Sequence, residues 1–93
     1  MNKGQLIDKI AGDAEITKSQ ANAALASFMD AVQTSLVNGN KLTLVGFGTF
    51  SSKVKPAHPG RNPQTGETIQ IAAKRVAKFK AGKGLETFIN VNL

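Results

Sequence analysis

The segment Gly60-Arg61-Asn62-Pro63 sets three kinds of chemistry side by side. Arg61 is a long planar cation, suited to a narrow, electronegative groove such as the minor groove of a DNA duplex. Asn62 can both donate and accept, matching the degenerate base edges of that groove. Pro63 is rigid, apolar and without a backbone N–H, so an exposed Pro63 is a wedge able to part stacked bases. The same letters also make an ordinary turn, since Asn-Pro and Thr-Gly punctuate loops. The flanks weigh against that plainer reading. Lys53 and Lys55 precede the tip, and Lys74, Arg75, Lys78, Lys80 and Lys83 follow it. A two-stranded ribbon with cations on both limbs can track a groove while meeting the phosphates on either side.

Little else in the chain offers chemistry. His58 is the only histidine, and no carboxylate lies nearer to it in sequence than Glu67. A general base needs an orienting partner and a metal needs several ligands, so His58 reads as a solvent- or phosphate-facing side chain. Asp8, Asp13 and Glu15 read as a solvated surface. Gly46-Phe47-Gly48 lacks the third glycine of a dinucleotide loop, since position 51 is Ser51. Gly82-Lys83 lacks the glycine and hydroxyl of a phosphate loop, with Ala77 and Gly84 in their places. The expectation is a protein that is not an enzyme, with no metal, cofactor or small-molecule substrate. The phenylalanines at 28, 47, 50, 79 and 88 all lie outside the ribbon, and there is no Trp or Tyr. With no aromatic platform for unpaired bases, duplex DNA is favoured over single strands or RNA.

The elements that must position the tip follow from periodicity. Asn2 with Gln5 forms a capping box, followed by Leu6, Ile7, Ile10, Ala11 and Ala14 on one helical face. This helix should end before Ile16. Thr17 with Gln20 opens a second helix, whose wide apolar stripe holds Ala21, Ala24, Leu25, Phe28, Met29, Val32 and Leu36. Asn38-Gly39 supplies its stop. From Lys41 the period shortens to two. Lys41–Val45 and Thr49–Lys55 alternate around a turn at Gly46-Phe47-Gly48. Residues 67–80 are again extended, and an apparent change of register predicts a bulge near Lys74-Arg75. A last helix is expected from about Lys83 to Asn90, with Gly84 weakening its first turn. The order is α+β: two N-terminal helices, a three-stranded antiparallel sheet with a long protruding β-ribbon arm at about 53–75, and a short C-terminal helix.

Charge divides the same way. Residues 1–40 sum to −1 and residues 41–83 to +8, within a total of +6 over 93 residues. A near-neutral scaffold is followed by a strongly basic surface. From charge alone nucleic acid, an acidic membrane surface and an acidic protein all fit. The longest apolar run, Ala23–Ala26, is too short for a membrane span or a signal-peptide core, so a cytoplasmic location is expected. So short a chain, with no cysteine to staple it, buries little surface alone and calls for a partner subunit.

Three ordered motifs weigh on the side of nucleic acid. Leu44-Val-Gly-Phe-Gly-Thr-Phe50, Gly60-Arg-Asn-Pro-Gln-Thr-Gly66 and Phe79-Lys-Ala-Gly-Lys83, after an opening Met1-Asn-Lys, resemble the HU and integration host factor superfamily of bacterial histone-like proteins along essentially the whole chain. The resemblance is closest to HU. It implies one domain over 1–93: a helical dimerisation region at 1–40, sheet and DNA-binding arm at 41–82, and a C-terminal helix at 83–93. It implies an intertwined homodimer whose arms embrace the minor groove, with Pro63 intercalating and Arg61 beside it. Gly46, Gly48, Lys80, Gly82 and Lys83 would meet phosphate, and Lys3 and Lys18 would do so from the helical body. A dimer core of Phe28, Val32, Leu36, Leu44, Phe47, Phe50 and Phe79 would cover what one chain leaves open. The implied role is bending and compaction of nucleoid DNA with little sequence preference, and with bent, nicked or distorted duplexes preferred.

The chain departs from the common HU pattern at Lys55-Pro56-Ala57-His58-Pro59, at Ala77 and at Gly84. His58 stands where a cation is usual, so binding should strengthen below roughly pH 6.5, where a free imidazole gains charge. Two readings compete. One is a site-specific subunit of an integration-host-factor-like heterodimer with a paralogue. The other is a basic interaction module for acidic proteins or membranes.

Overall fold

The computed structural model describes residues 1–91 as two compact units, Met1–Thr34 and Ser35 onward. The expected helix at 83–93 therefore reaches two positions outside the described residues.

In the first unit, α1 (Lys3–Ala14) begins at the capping box: Gln5 N–H donates to Asn2 Oδ1 at 2.9 Å and Asn2 N–H to Gln5 Oε1 at 3.0 Å. It ends at Glu15, a non-glycine residue in the left-handed region at φ 55°. The reciprocal bonds between Thr17 and Gln20, both 3.0 Å, then open α2 (Lys18–Val37). Exposed ion pairs join Lys9 to Asp13 at 2.8 Å and Lys18 to Asp8 at 3.2 Å. Asp13 holds the Lys9 ammonium above its usual range by hydrogen bond and charge. The buried apolar side chains among the described residues are Ala11 and Ala21 alone.

The second unit opens with the end of α2. Asn40 N–H donates to Ser35 O at 2.8 Å and Gly39 N–H to Leu36 O at 3.1 Å, with Gly39 at φ 75°. This is a Schellman stop, the one Asn38-Gly39 predicts. Strands β1 (Leu42–Leu44), β2 (Gly48–Lys55) and β5 (Lys74–Ala81) form an antiparallel sheet in the order β1-β2-β5. Strands β3 (His58–Arg61) and β4 (Thr68–Ile71) form a separate antiparallel ribbon. Helix α3 (Lys83–Val91) follows. The α+β class and element order agree with the periodicity.

Two expectations are corrected. The bulge at Lys74-Arg75 is absent. Lys55 pairs with Lys74 on one side of a gap and His58 with Ile71 on the other, so each limb skips two residues and the register is kept. A bulge needs an extra residue on one strand only. Here Pro56, which has no N–H to give, interrupts both limbs together. The apparent register change arises because Val76 belongs to the face of Lys74 and Lys78, opposite Phe79.

Gly84 does not simply weaken α3. A Cβ there would lie 2.6 Å from Gly46 O, so the absence of a side chain lets the start of α3 close against the β1–β2 turn. The same closure carries the bond from Gly82 N–H to Phe47 O at 2.8 Å. Gly46 makes the turn at φ 82°.

Large apolar groups stay open in the single chain. Phe79 stacks at a tilt against Phe50 (4.9 Å between centroids) and Phe47 (5.6 Å), yet Phe47 is 46% and Phe79 44% exposed. Phe28 and Leu44 are exposed, while Val32, Leu36 and Phe50 are only half-buried.

Candidate nucleic-acid interface

Strand register sorts the basic residues. Neighbours in a strand point to opposite faces and paired residues share one. On one face lie Lys53, Lys55, Lys74, Lys78 and Lys80, with Thr43, Thr49, Ser51 and Val76 between them. The 3.3 Å approach of the Thr43 and Thr49 hydroxyls marks that face. The other face carries Leu42, Leu44, Phe50, Val54, Ala77 and Phe79. The five lysines are exposed, and none forms an ion pair among the described residues. Lys55 and Lys74 are directly opposed, a repulsive pairing with no carboxylate on its face to relieve it.

The ribbon continues beyond the gap. Arg61 pairs with Thr68 and Pro59 with Gln70 on one face, while His58 pairs with Ile71 and Gly60 with Ile69 on the other. Gly60 lies under the end of the Ile71 side chain, which would have to swing aside to admit a larger residue. The turn beyond is tied by Asn62: its N–H donates to Glu67 O at 2.8 Å, its carbonyl accepts from Gly66 N–H at 2.7 Å, and its Oδ1 accepts from Gln64 N–H at 2.9 Å. The side-chain acceptor is thereby committed to the turn, and the Asn62 amide group keeps its donor end. Pro63 follows, exposed, at the outer end of the ribbon.

His58 lies close to the gap. Its Nδ1 is 3.1 Å from Pro56 O, and because a carbonyl can only accept, Nδ1 carries the proton of the neutral ring. Its Nε2 is left for solvent or a ligand. No group of His, Asp and Glu among the described residues is arranged to hold a metal, and no pocket is present among them.

The remaining sites separate. Lys83 is exposed at the start of α3, beside the Gly46 turn. Gly48 is buried, and a Cβ on it would collide with the Phe79 ring and lie 2.7 Å from Lys80 O, so packing by itself requires a glycine there. Arg75 is not on the lysine face. It pairs with Val54, and its Nη1 donates to Ser52 Oγ at 3.2 Å. Sequence reasoning missed Ser52 and the packing role of Gly84. The signal for Ser52 was its place in the alternation with Phe50 and Val54. For Gly84 it was a second Gly-X-Gly able to meet the first.

These features define a class: a small basic α+β protein with a lysine-faced sheet and a β-ribbon ending in an exposed proline. The model of a family described as bacterial DNA-binding protein matches residues 1–90. DNA-binding protein HU-beta of Escherichia coli is 52% identical over 90 residues, covering 97% of this chain and 100% of the relative. DNA-binding protein HU of Haemophilus influenzae is 52% identical over 89 residues, covering 96% and 99%. The solved structure of an Anabaena HU–DNA cocrystal superposes with a TM-score of 0.85 at 44% identity, covering 96% of this chain and 97% of that one. HU from Thermotoga maritima superposes at 0.68 with 27% identity, covering 96% and 98%. This chain belongs to the HU family of bacterial DNA-binding proteins.

Proposed function

We propose that this protein is a non-enzymatic architectural component of the bacterial nucleoid, acting in the cytoplasm as a homodimer that binds and bends duplex DNA with little sequence preference. The observation that carries this reading is the single-sided sheet. Lys53, Lys55, Lys74, Lys78 and Lys80 crowd one face, without carboxylate partners, at the root of a ribbon whose outer end presents Arg61, Asn62 and Pro63. A polyanion relieves the mutual repulsion of those lysines, and a rigid apolar residue at a ribbon tip suits insertion between base pairs. Lys83 and the Gly46 turn add phosphate contacts, His58 lies along the arm, and Asn62 donates to the groove edge. The Anabaena relative was crystallised with DNA. The dimer accounts for the open phenylalanines, since pairing gives them the cover that one chain lacks.

The test is the affinity for one duplex, intact and with a central nick, over a range of salt. Because a nick lowers the cost of bending, a wedge-and-bend protein binds the nicked duplex more tightly at every salt concentration. Log K falls with log salt at about −0.9 per phosphate neutralised. A steep slope without nick preference leaves a DNA-coating protein and removes Pro63 as a wedge. No binding at low salt overturns the nucleic-acid reading. Absence of self-association in the purified chain favours a heterodimer subunit instead.

A further inference from the structure

We propose that Arg75 is a positioning residue that fixes the root of the arm to the end of α2, and that it makes no contact with phosphate. The inference rests on the DNA-bending reading above. Its basis is a chain of hydrogen bonds inside the second unit. Arg75 Nη1 donates to Ser52 Oγ at 3.2 Å, and Ser52 Oγ donates to Leu36 O at 2.8 Å. Leu36 O is one of the last carbonyls of α2 and already accepts from Gly39 N–H. Nη1 also lies 3.6 Å from where a Cβ on Gly39 would sit, so the guanidinium stands at the helix stop itself. Helix α2 has no basic residue in its own last turn. Arg75 supplies that charge from another element, where the carbonyl end of the helix dipole attracts a cation.

Its place along the strand gives the contact a consequence. Arg75 pairs with Val54, and the next pair, Lys55 with Lys74, is the last before the gap at Pro56-Ala57 and Ala72-Ala73. Beyond that gap the ribbon is a separate two-stranded sheet. The Arg75–Ser52–Leu36 chain is thus the outermost tie between both limbs and a helix among the described residues. It sets the direction in which the ribbon leaves the sheet. Lys74, its neighbour in sequence, faces the other way with the remaining lysines.

The experiment compares the parent with Arg75→Gln, Ser52→Ala and Lys74→Gln in two readouts: the salt slope of binding, and the bend of an end-labelled intact duplex at saturation. All measurements are made below the melting temperature of every variant, checked by circular dichroism. Removing a side chain that neutralises one phosphate lowers the slope by about 0.9 for each subunit. Arg75→Gln and Ser52→Ala are expected to keep the parent's slope, reduce the bend, and weaken intact-duplex binding by about tenfold, the scale of one hydrogen bond to a charged group. Lys74→Gln is expected to lower the slope and keep the bend. An Arg75→Gln variant with the lower slope and an unchanged bend overturns the inference and returns Arg75 to the phosphate-binding surface. A Ser52→Ala variant indistinguishable from the parent overturns it too. If the parent itself binds without bending, the functional reading fails, and this inference falls with it.

Discussion

At the scale of single residues, function and packing make opposite demands on similar side chains. Pro63 is exposed and held by a turn that Asn62 ties three times, so it can be changed without disturbing a core. Pro63→Ala should leave the salt slope alone while shrinking the preference for nicked over intact duplex, as measured by paired titrations. Gly84 is the reverse case. Helix propensity alone says that Gly84→Ala stabilises by about 1 kcal/mol. The structure puts the added Cβ 2.6 Å from the Gly46 carbonyl oxygen, and overpacking against backbone costs about 1–3 kcal/mol. The clash wins, so the melting temperature should fall. Glu15, at φ 55°, carries strain that glycine does not, and Glu15→Gly should stabilise by about 0.5–1 kcal/mol in denaturant unfolding. Among the described residues the His58 ring has a single partner, Pro56 O, and no carboxylate beside it. His58→Ala should weaken binding to duplex DNA, and an unchanged affinity removes the histidine from the interface.

At the scale of elements, the gap in the ribbon shows what sequence can and cannot disclose. Helix starts were legible because a capping box is a local pattern: Asn2 with Gln5 and Thr17 with Gln20 state their own geometry. The Gly39 stop was legible for the same reason. The β-ribbon tip was legible because Gly60-Arg61-Asn62-Pro63 is polar on both sides and rich in turn formers. What failed was pairing between distant strands. The alternation of Ile69, Ile71 and Ala73 followed by Val76 resembled a bulge, because one apolar residue on a basic face mimics a shift of register. Only the partner strand, with Pro56 opposite, distinguishes the two. The separation of Arg75 from the lysines was hidden by the same limitation. Its neighbour Lys74 and it carry the same charge, yet strand alternation sends them to opposite faces, and Ser52 and Leu36 are far away in sequence.

At the scale of the whole molecule, the chain lacks a closed core, since no described side chain larger than alanine is buried and apolar. Dimer formation predicts a melting temperature that rises with protein concentration. Phe47→Ala should cost about 3–5 kcal/mol if pairing buries the ring, and only about 1 kcal/mol if its contact with Phe79 is all that is lost. The opposed lysines carry a different consequence. Lys55 facing Lys74 is a repulsion that the unliganded protein endures and an anion removes. Stability and binding are therefore set against each other along this strand pair. Added salt should raise the melting temperature of the free protein while loosening its hold on DNA. Selection for a sturdier fold would erode these lysines first, so their presence marks a protein whose ordinary working state is the occupied one.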